Sequence, residues 1–248
     1  MSDTTTTSIA PDEKSGGLSG STLKLIAIVT MFIDHLAVAA LEPQIGTYTN
    51  LYYAMRLIGR LAFPIFCFLL VEGFSHTRDV KKYALRLLLF AFISEIPFDL
   101  VFNRQMFYWR YQNVFFTLFI GLVVIALMER SKHSFHGPFR FILDCAVLVS
   151  GVLMAELLIF SDYGAMGVLA IVFIYIFRQY RGNVVAMAVS VLWLSAINLM
   201  ESSSAIDILL IKFYNGKRGL NLKYVFYAFY PVHLLLLYLL FHVILKIS

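Results

Sequence analysis

The chain has 248 residues and a formal charge of +5, yet 60% of its residues are hydrophobic and only 14% are charged. A soluble domain carries about 25% charged residues, so a water-soluble fold is set aside. A nucleic-acid binder is set aside too, because the basic residues sit at the ends of apolar runs, which is a topogenic pattern. Repeated apolar runs of bilayer length predict an all-α polytopic membrane protein, a bundle of about 8–9 transmembrane helices with short loops.

Residues 1–20 are rich in Thr, Ser and Gly and are expected to form a disordered cytoplasmic tail. Residues 21–248 then form a single transmembrane helical domain. The first span covers about 23–41, and a loop with Glu42, Pro43 and Gly46 follows. Span two covers about 54–75 and span three about 84–102, with the basic residues Arg78, Lys81, Lys82 and Arg86 around the loop between them. Span four covers about 113–129, span five 140–160, span six 164–177 and span seven 183–200. The apolar piece 205–213 is either a full span or a re-entrant half-helix, and a final span covers about 225–245. With each span crossing, about 15 of the 20 Lys and Arg residues fall on the side of the N-terminus, which makes that side cytoplasmic. Cys67 and Cys145 lie in apolar runs, without the spacing of a disulfide framework or a metal site.

Ionisable residues inside apolar spans face a bundle interior or a water-filled cavity. Asp34 and His35 stand in the middle of the first span. At ~1.5 Å rise per residue, His35 lies roughly 16 Å beyond Lys24, Glu95 roughly 13 Å beyond Arg86 and His233 roughly 15 Å beyond Lys223. Arg60 descends to a similar depth from the other side, so ionisable groups from four spans fall near one level. Residues four apart share a helix face, which groups Arg56 with Arg60, Glu72 with His76, and Glu95 with Asp99. The first and last of these pairs are expected to neutralise one another where spans two and three pack. The alternative to chemistry is a set of buried salt bridges that only fix packing. Histidine titrates near neutral pH, which makes His35 the candidate proton-handling group. Neighbours on a helix point ~100° apart, so a carboxylate from another span, such as Glu95, is expected to orient the imidazole if Asp34 does not. Glu72 and His76, in VEGFSHT, either line an entrance or cap a helix end. Pro231, between Tyr230 and His233, and Pro64 are expected to kink their helices and open backbone groups to a cavity. The turn-rich segment Tyr214–Gly219 offers Lys217, Arg218 and backbone amides freed by glycine, a combination that suits phosphate.

The runs LKLIAIVTMFIDH, RLIGRLAFPIFCFLLVEGFSHT, YALRLLLFAFISEIPFDLVF, DYGAMGV and NGKRGLNLKYVFYAFYP together resemble the TraX family of membrane proteins associated with N-terminal acetylation of pilin. The resemblance extends to the acyltransferase-three superfamily, whose members have an essential histidine in the first span, about eleven residues after a basic residue, and arginines in a following span. Lys24, His35, Arg56 and Arg60 match that pattern, although lysine stands where arginine is frequent and the arginine pair is spaced differently.

The resemblance implies a multi-pass protein of a bacterial-type inner membrane that moves an acetyl group from cytoplasmic acetyl-CoA. The acceptor would be a peptide or protein N-terminus, or a glycan, at the membrane lipids. His35 would deprotonate the acceptor, with Asp34, Arg60 and Glu95 completing the catalytic set. The nucleotide would dock on Lys81, Lys82, Lys217 and Arg218, and Arg56, Glu72, His76, Tyr230 and His233 would lie along the cofactor path. No metal is expected. A histidine near ~6.5 strips an α-amine near ~8 more readily than a lysine near ~10.4, which favours an N-terminal or sugar amine, or a hydroxyl. The rival readings are a proton-coupled transporter with a mid-bilayer relay and a haem carrier ligated by His35 and His233.

Overall fold

A computed structural model describes residues 16–221 and 223–246. The described residues are mainly helical, with two isolated bridges, Leu18 to Tyr214 and Gln112 to Ser161, in place of strands. The long helices are α1 (Gly20–Leu41), α2 (Ile45–Gly59), α3 (Ala62–His76), α4 (Val80–Phe102), α5 (Val114–Ser134), α6 (Gly137–Leu153), α7 (Gly164–Arg181), α8 (Asn183–Ile197) and α10 (Lys223–Tyr238). Between the last two lie a 3-10 segment, Leu199–Ala205, and the seven-residue α9, Ile206–Lys212. Among the described residues, four stretches are long and apolar enough to cross a membrane, beginning with the nearly continuous run Gly20–His76.

Local chemistry sets the helix starts. Ser19 caps α1 by accepting from the Thr22 amide at 3.2 Å, Asp79 caps α4 through the Lys82 amide at 2.9 Å, and Asn113 caps α5 through the Phe115 amide at 3.1 Å. α1 packs on α2, α3 and α10; α10 packs on α4; and α7 packs on α8, α5 and α3. Leu23, Ala27, Phe68, Leu122, Ile171, Met187 and Leu234 fill the interior. The outer faces are apolar as well. α6 keeps only Gly151 buried and exposes Phe139, Phe141, Ile142 and Val149. An apolar exterior this extensive is what a bilayer covers and water does not.

Two places need correction. The segment after Pro43 is not a loop but α2, and span two is two helices meeting at Arg60 and Leu61. Pro64 does not kink a helix from within. It sits in the first turn of α3, and its missing N–H leaves the Arg60 carbonyl without an i+4 donor, so the helix slips just before it. The tail was expected to reach residue 20. Most of it lies outside the described residues, but Leu18 is bound, donating to the Phe213 carbonyl at 2.8 Å and accepting from the Asn215 amide at 3.0 Å. α9 spans only about 10 Å, so it does not cross alone. With the 3-10 segment it makes the limb that brings the chain back from the end of α8 to the end where α1 begins.

Candidate functional site

α2 ends with both its arginines turned onto α1. Arg56 Nη1 donates to Asp34 Oδ2 at 2.7 Å and Arg60 Nη2 to Asp34 Oδ1 at 2.8 Å. Arg60 goes further: Nη1 reaches Glu201 Oε1 at 3.2 Å and the Tyr163 hydroxyl at 3.3 Å, and Nε reaches the Arg56 carbonyl at 3.3 Å. Asp34 and Glu201 are buried, and two guanidiniums balance two carboxylates. Such a set is stable in a low-dielectric interior because each charge is paired and hydrogen-bonded. Gly59 makes the approach possible, since a methyl there would stand 2.5 Å from Asp34 Cγ and closer still to its Cβ. Tyr163 holds its hydroxyl in place from a left-handed backbone, φ 63°, with its ring stacked on Phe63 at 3.6 Å between centroids.

Next to this knot, His35 turns away from Asp34 and meets α10. His35 Nδ1 and His233 Nε2 lie 2.7 Å apart, and the two rings are within 5° of parallel. His233 Nδ1 is 2.7 Å from the Phe229 carbonyl. Phe102 of α4 and Tyr230 of α10 present their rings edge-on to His35, at 5.3 and 5.8 Å. Both imidazoles are buried.

A cavity of about 530 Å³ opens at the end where α1 begins. Lys24, His76, Arg78, Arg86 and Arg218 line it there, with Glu72 as the carboxylate. Glu72 is itself engaged by Arg178 and by the Tyr214 hydroxyl at 3.0 Å, so the lining is net cationic. Leu69, Leu70, Leu87 and Leu118 make the walls apolar, and the inner end is closed by Met31, Val114, Phe115 and Tyr230. From Gly20 to Met31 is roughly 16 Å along α1. Tyr230 thus shares the inner end of the cavity with Val114, the first residue of α5. His35 and His233 lie one side chain beyond this floor, with Tyr230 between them and the cavity.

The structure brings Asp34, Arg56 and Arg60 together as one cluster, and His35, His233 and Tyr230 as another. Glu72, His76 and Arg218 line the cavity. The expected pairing of Arg56 and Arg60 with Glu95 and Asp99 is not formed, because α2 packs on α1 and its nearest carboxylate is Asp34. Glu95 binds the Asn113 side chain, and Asp99 accepts from Asn103 Nδ2 at 3.0 Å and the Tyr108 amide at 2.7 Å. The partner of the His35 imidazole is therefore His233, not Glu95. Lys81, Lys82 and Lys217 point outward and do not line the cavity, and Lys82 pairs with Asp79 at 3.3 Å. Arg56 lies outside it too, over the Tyr52 ring. Four amides of the 214–220 loop, those of Tyr214, Asn215, Lys217 and Leu220, are taken up within the fold. Lys217 donates to Asn215 Oδ1 at 2.9 Å and Leu220 to Ser21 Oγ at 3.0 Å, while the carbonyls of Lys217 and Arg218 receive the Gly20 and Ser21 amides. Gly219, φ 70°, is where the loop touches Ser19 and Ser21 too closely for a side chain. A haem iron between His35 and His233 would need two metal–nitrogen bonds of ~2 Å each, and the 2.7 Å separation leaves no space for it.

Sequence reasoning missed Glu201, Tyr163, Arg78 and Arg86 as site residues. Glu201 sits in LMESSSA, which reads as a polar turn. The two arginines were assigned to topology alone, although Tyr83, Arg86 and Leu87 share one face of α4 at i, i+3, i+4 spacing, and all three line the cavity.

The sequence profile of the family described as TraX protein matches residues 19–241. A probable fimbrial assembly protein, FimC of serogroup H1 from Dichelobacter nodosus, is 30% identical over 239 residues, covering 87% of this chain and 92% of that protein. An uncharacterized protein of Rickettsia prowazekii (strain Madrid E) is 25% identical over 162 residues, 65% of this chain and 56% of its own length. No solved structure matches the chain significantly.

Proposed function

The chain belongs to the TraX family, and from that premise we propose that it is a membrane-embedded acetyltransferase that carries acetyl from cytoplasmic acetyl-CoA to an amine or hydroxyl acceptor. The observation that carries this reading is the cationic cavity with apolar walls, whose floor at Tyr230 stands one side chain from a buried imidazole pair. In this reading the limbs α1, α2 with α3, α4, α5, α6, α7, α8, the 3-10 segment with α9, and α10 traverse the bilayer in turn. The cationic end faces the cytoplasm, in keeping with the charge asymmetry. The likeness to the acyltransferase-three superfamily supports the same reading, and the relative described as a fimbrial assembly protein makes a pilin-type N-terminus the first acceptor to try.

The nucleotide phosphates bind at Lys24, Arg78, Arg86 and Arg218, and the pantetheine arm lies along the leucine walls. Tyr230 turns aside to admit the thioester to His35. His35 takes the proton of the acceptor amine as its nitrogen bonds to the thioester carbonyl carbon. The tetrahedral intermediate collapses, the carbon–sulfur bond breaks, and His35 returns the proton to the leaving thiolate. Arg60 already serves four acceptors, so the donor for the developing oxyanion is the Val114 amide, in the first turn of α5 at the inner end of the cavity. Asp34 holds α1 against α2 and keeps the His35 backbone in register.

The test is turnover of radiolabelled acetyl-CoA by the purified protein in lipid, with an N-terminal pilin peptide and an amino sugar as acceptors. Acetyl transfer by the parent and none by a normally inserted His35→Ala variant is expected. Transfer retained by that variant overturns the role of His35. Substrate flux into sealed vesicles without any acetyl transfer decides for a transporter.

A further inference from the structure

The hydrogen bonds around the imidazole pair determine more than proximity. The Phe229 carbonyl can only accept, so His233 Nδ1, 2.7 Å from it, carries the hydrogen. In neutral His233 the other nitrogen, Nε2, is then a bare acceptor. That atom faces His35 Nδ1 at 2.7 Å, so His35 Nδ1 carries the hydrogen of that bond. What remains on His35 is an unprotonated Nε2.

We infer that His233 is the positioning residue that locks His35 in the Nδ1–H tautomer, leaving Nε2 as the atom that takes the acceptor's proton. The inference rests on the acetyltransferase reading for its chemistry and on the hydrogen bonds alone for its tautomer. It assigns to an imidazole and a backbone carbonyl the work that a carboxylate does in a hydrolase triad, where the third group fixes the histidine's tautomer and orientation. When Nε2 gains its proton, the Nδ1–H bond to His233 persists and spreads the positive charge over both rings. Among the described residues no carboxylate contacts either ring: Asp34 is taken up by Arg56 and Arg60, and Glu95 by Asn113. A buried base whose ring touches no carboxylate suits proton transfer beside a thioester, since its own charge appears only when the proton moves. Pro231 contributes through the backbone of α10. It carries no N–H, so the Tyr227 carbonyl has no helical partner, and the turn that presents His233 is tied by its side-chain bond to Phe229 instead.

The experiment pairs spectroscopy with kinetics. Nitrogen-15 spectra of histidine-labelled parent protein at neutral pH, with His35 identified by its loss in His35→Ala, are expected to show a protonated Nδ1 and a bare Nε2. A protonated Nε2 overturns the inference, whatever the activity. His233→Gln keeps an acceptor where Nε2 stands and is expected to retain kcat within about tenfold, whereas His233→Leu is expected to lower kcat on the order of a hundredfold or more with KM unchanged. If His233→Leu keeps the parent's kcat while His35→Ala is dead, the inference fails and the acetyltransferase reading stands. If His35→Ala turns over normally, His35 is not the base and the inference fails; if the parent itself transfers no acetyl group, the acetyltransferase reading fails, and the nitrogen-15 spectrum still decides the tautomer.

Discussion

Replacing Gly59 by alanine is the sharpest probe of the buried charge cluster, because it leaves every charged group in place. The new methyl would sit 2.5 Å from Asp34 Cγ. Ordinary contact needs about 3.5 Å, so α1 and α2 must separate by about 1 Å, a shift that close-packed interiors resist. The Arg56–Asp34 and Arg60–Asp34 bonds, now 2.7 and 2.8 Å, would lengthen by a similar amount and leave hydrogen-bonding range. Overpacking costs about 1–3 kcal/mol and breaking a buried pair about 3–5 kcal/mol. Arg56 is 22% exposed and recovers some water, so a net loss of about 3 kcal/mol is expected. For a chain of this size that lowers Tm by about 6–12 °C, read as intrinsic tryptophan or thiol-dye unfolding in one detergent. Gly46→Ala is the control, since nothing lies within 4 Å of that position. A Gly59→Ala variant that melts with the parent refutes the claim that the α1–α2 crossing depends on this contact.

Other outcomes follow from the same coordinates. Asp207 is fully buried and neither of its oxygens has a hydrogen-bond partner among the described residues, so Asp207→Leu is expected to raise stability by about 1–2 kcal/mol, seen as a higher Tm in detergent. Removing the cavity's cations, in Arg86→Gln or Arg218→Gln, is expected to raise KM for acetyl-CoA about tenfold with kcat little changed, while Lys81→Gln, Lys82→Gln and Lys217→Gln leave both constants alone. Tyr230→Ala removes the cavity floor and is expected to shift preference from acetyl-CoA towards longer acyl-CoA thioesters, measured as relative kcat/KM along a chain-length series. The Lys82 amide and ammonium hold the Asp79 carboxylate below its usual range, so its helix cap is at full strength at neutral pH and is lost as pH falls through that lowered value. Amide exchange in the first turn of α4 is expected to quicken in acid, and Asp79→Asn removes that step.

The helices were legible because a bilayer-length apolar run admits few other structures. His35 and His233 were legible as buried polar groups for a related reason: two histidines at one depth in such runs must find polar company. Which company they find was not legible. The pairing of Arg56 and Arg60 with Asp34 rather than Glu95 depends on α2 folding back along α1 after the 3-10 turn Glu42–Gln44, a stretch read as a loop. Glu201 escaped notice because its stretch, LMESSSA, has no apolar period, and only the returned limb brings it under Arg60.

The cations were harder still. Lysine and arginine at the ends of spans serve topology whichever way they point, so the count alone cannot separate Arg86, which lines the cavity, from Lys82, which does not. Helical phase does separate them. Leu85 is 65% exposed and Leu87 3%, so the inner face of α4 runs through Tyr83, Arg86 and Leu87, and Lys81 and Lys82 stand off it. The same test applied to α10 puts Tyr227, Tyr230 and Leu234 on one inner face. The cavity floor and the support of the imidazole pair thus come from one stripe of one helix.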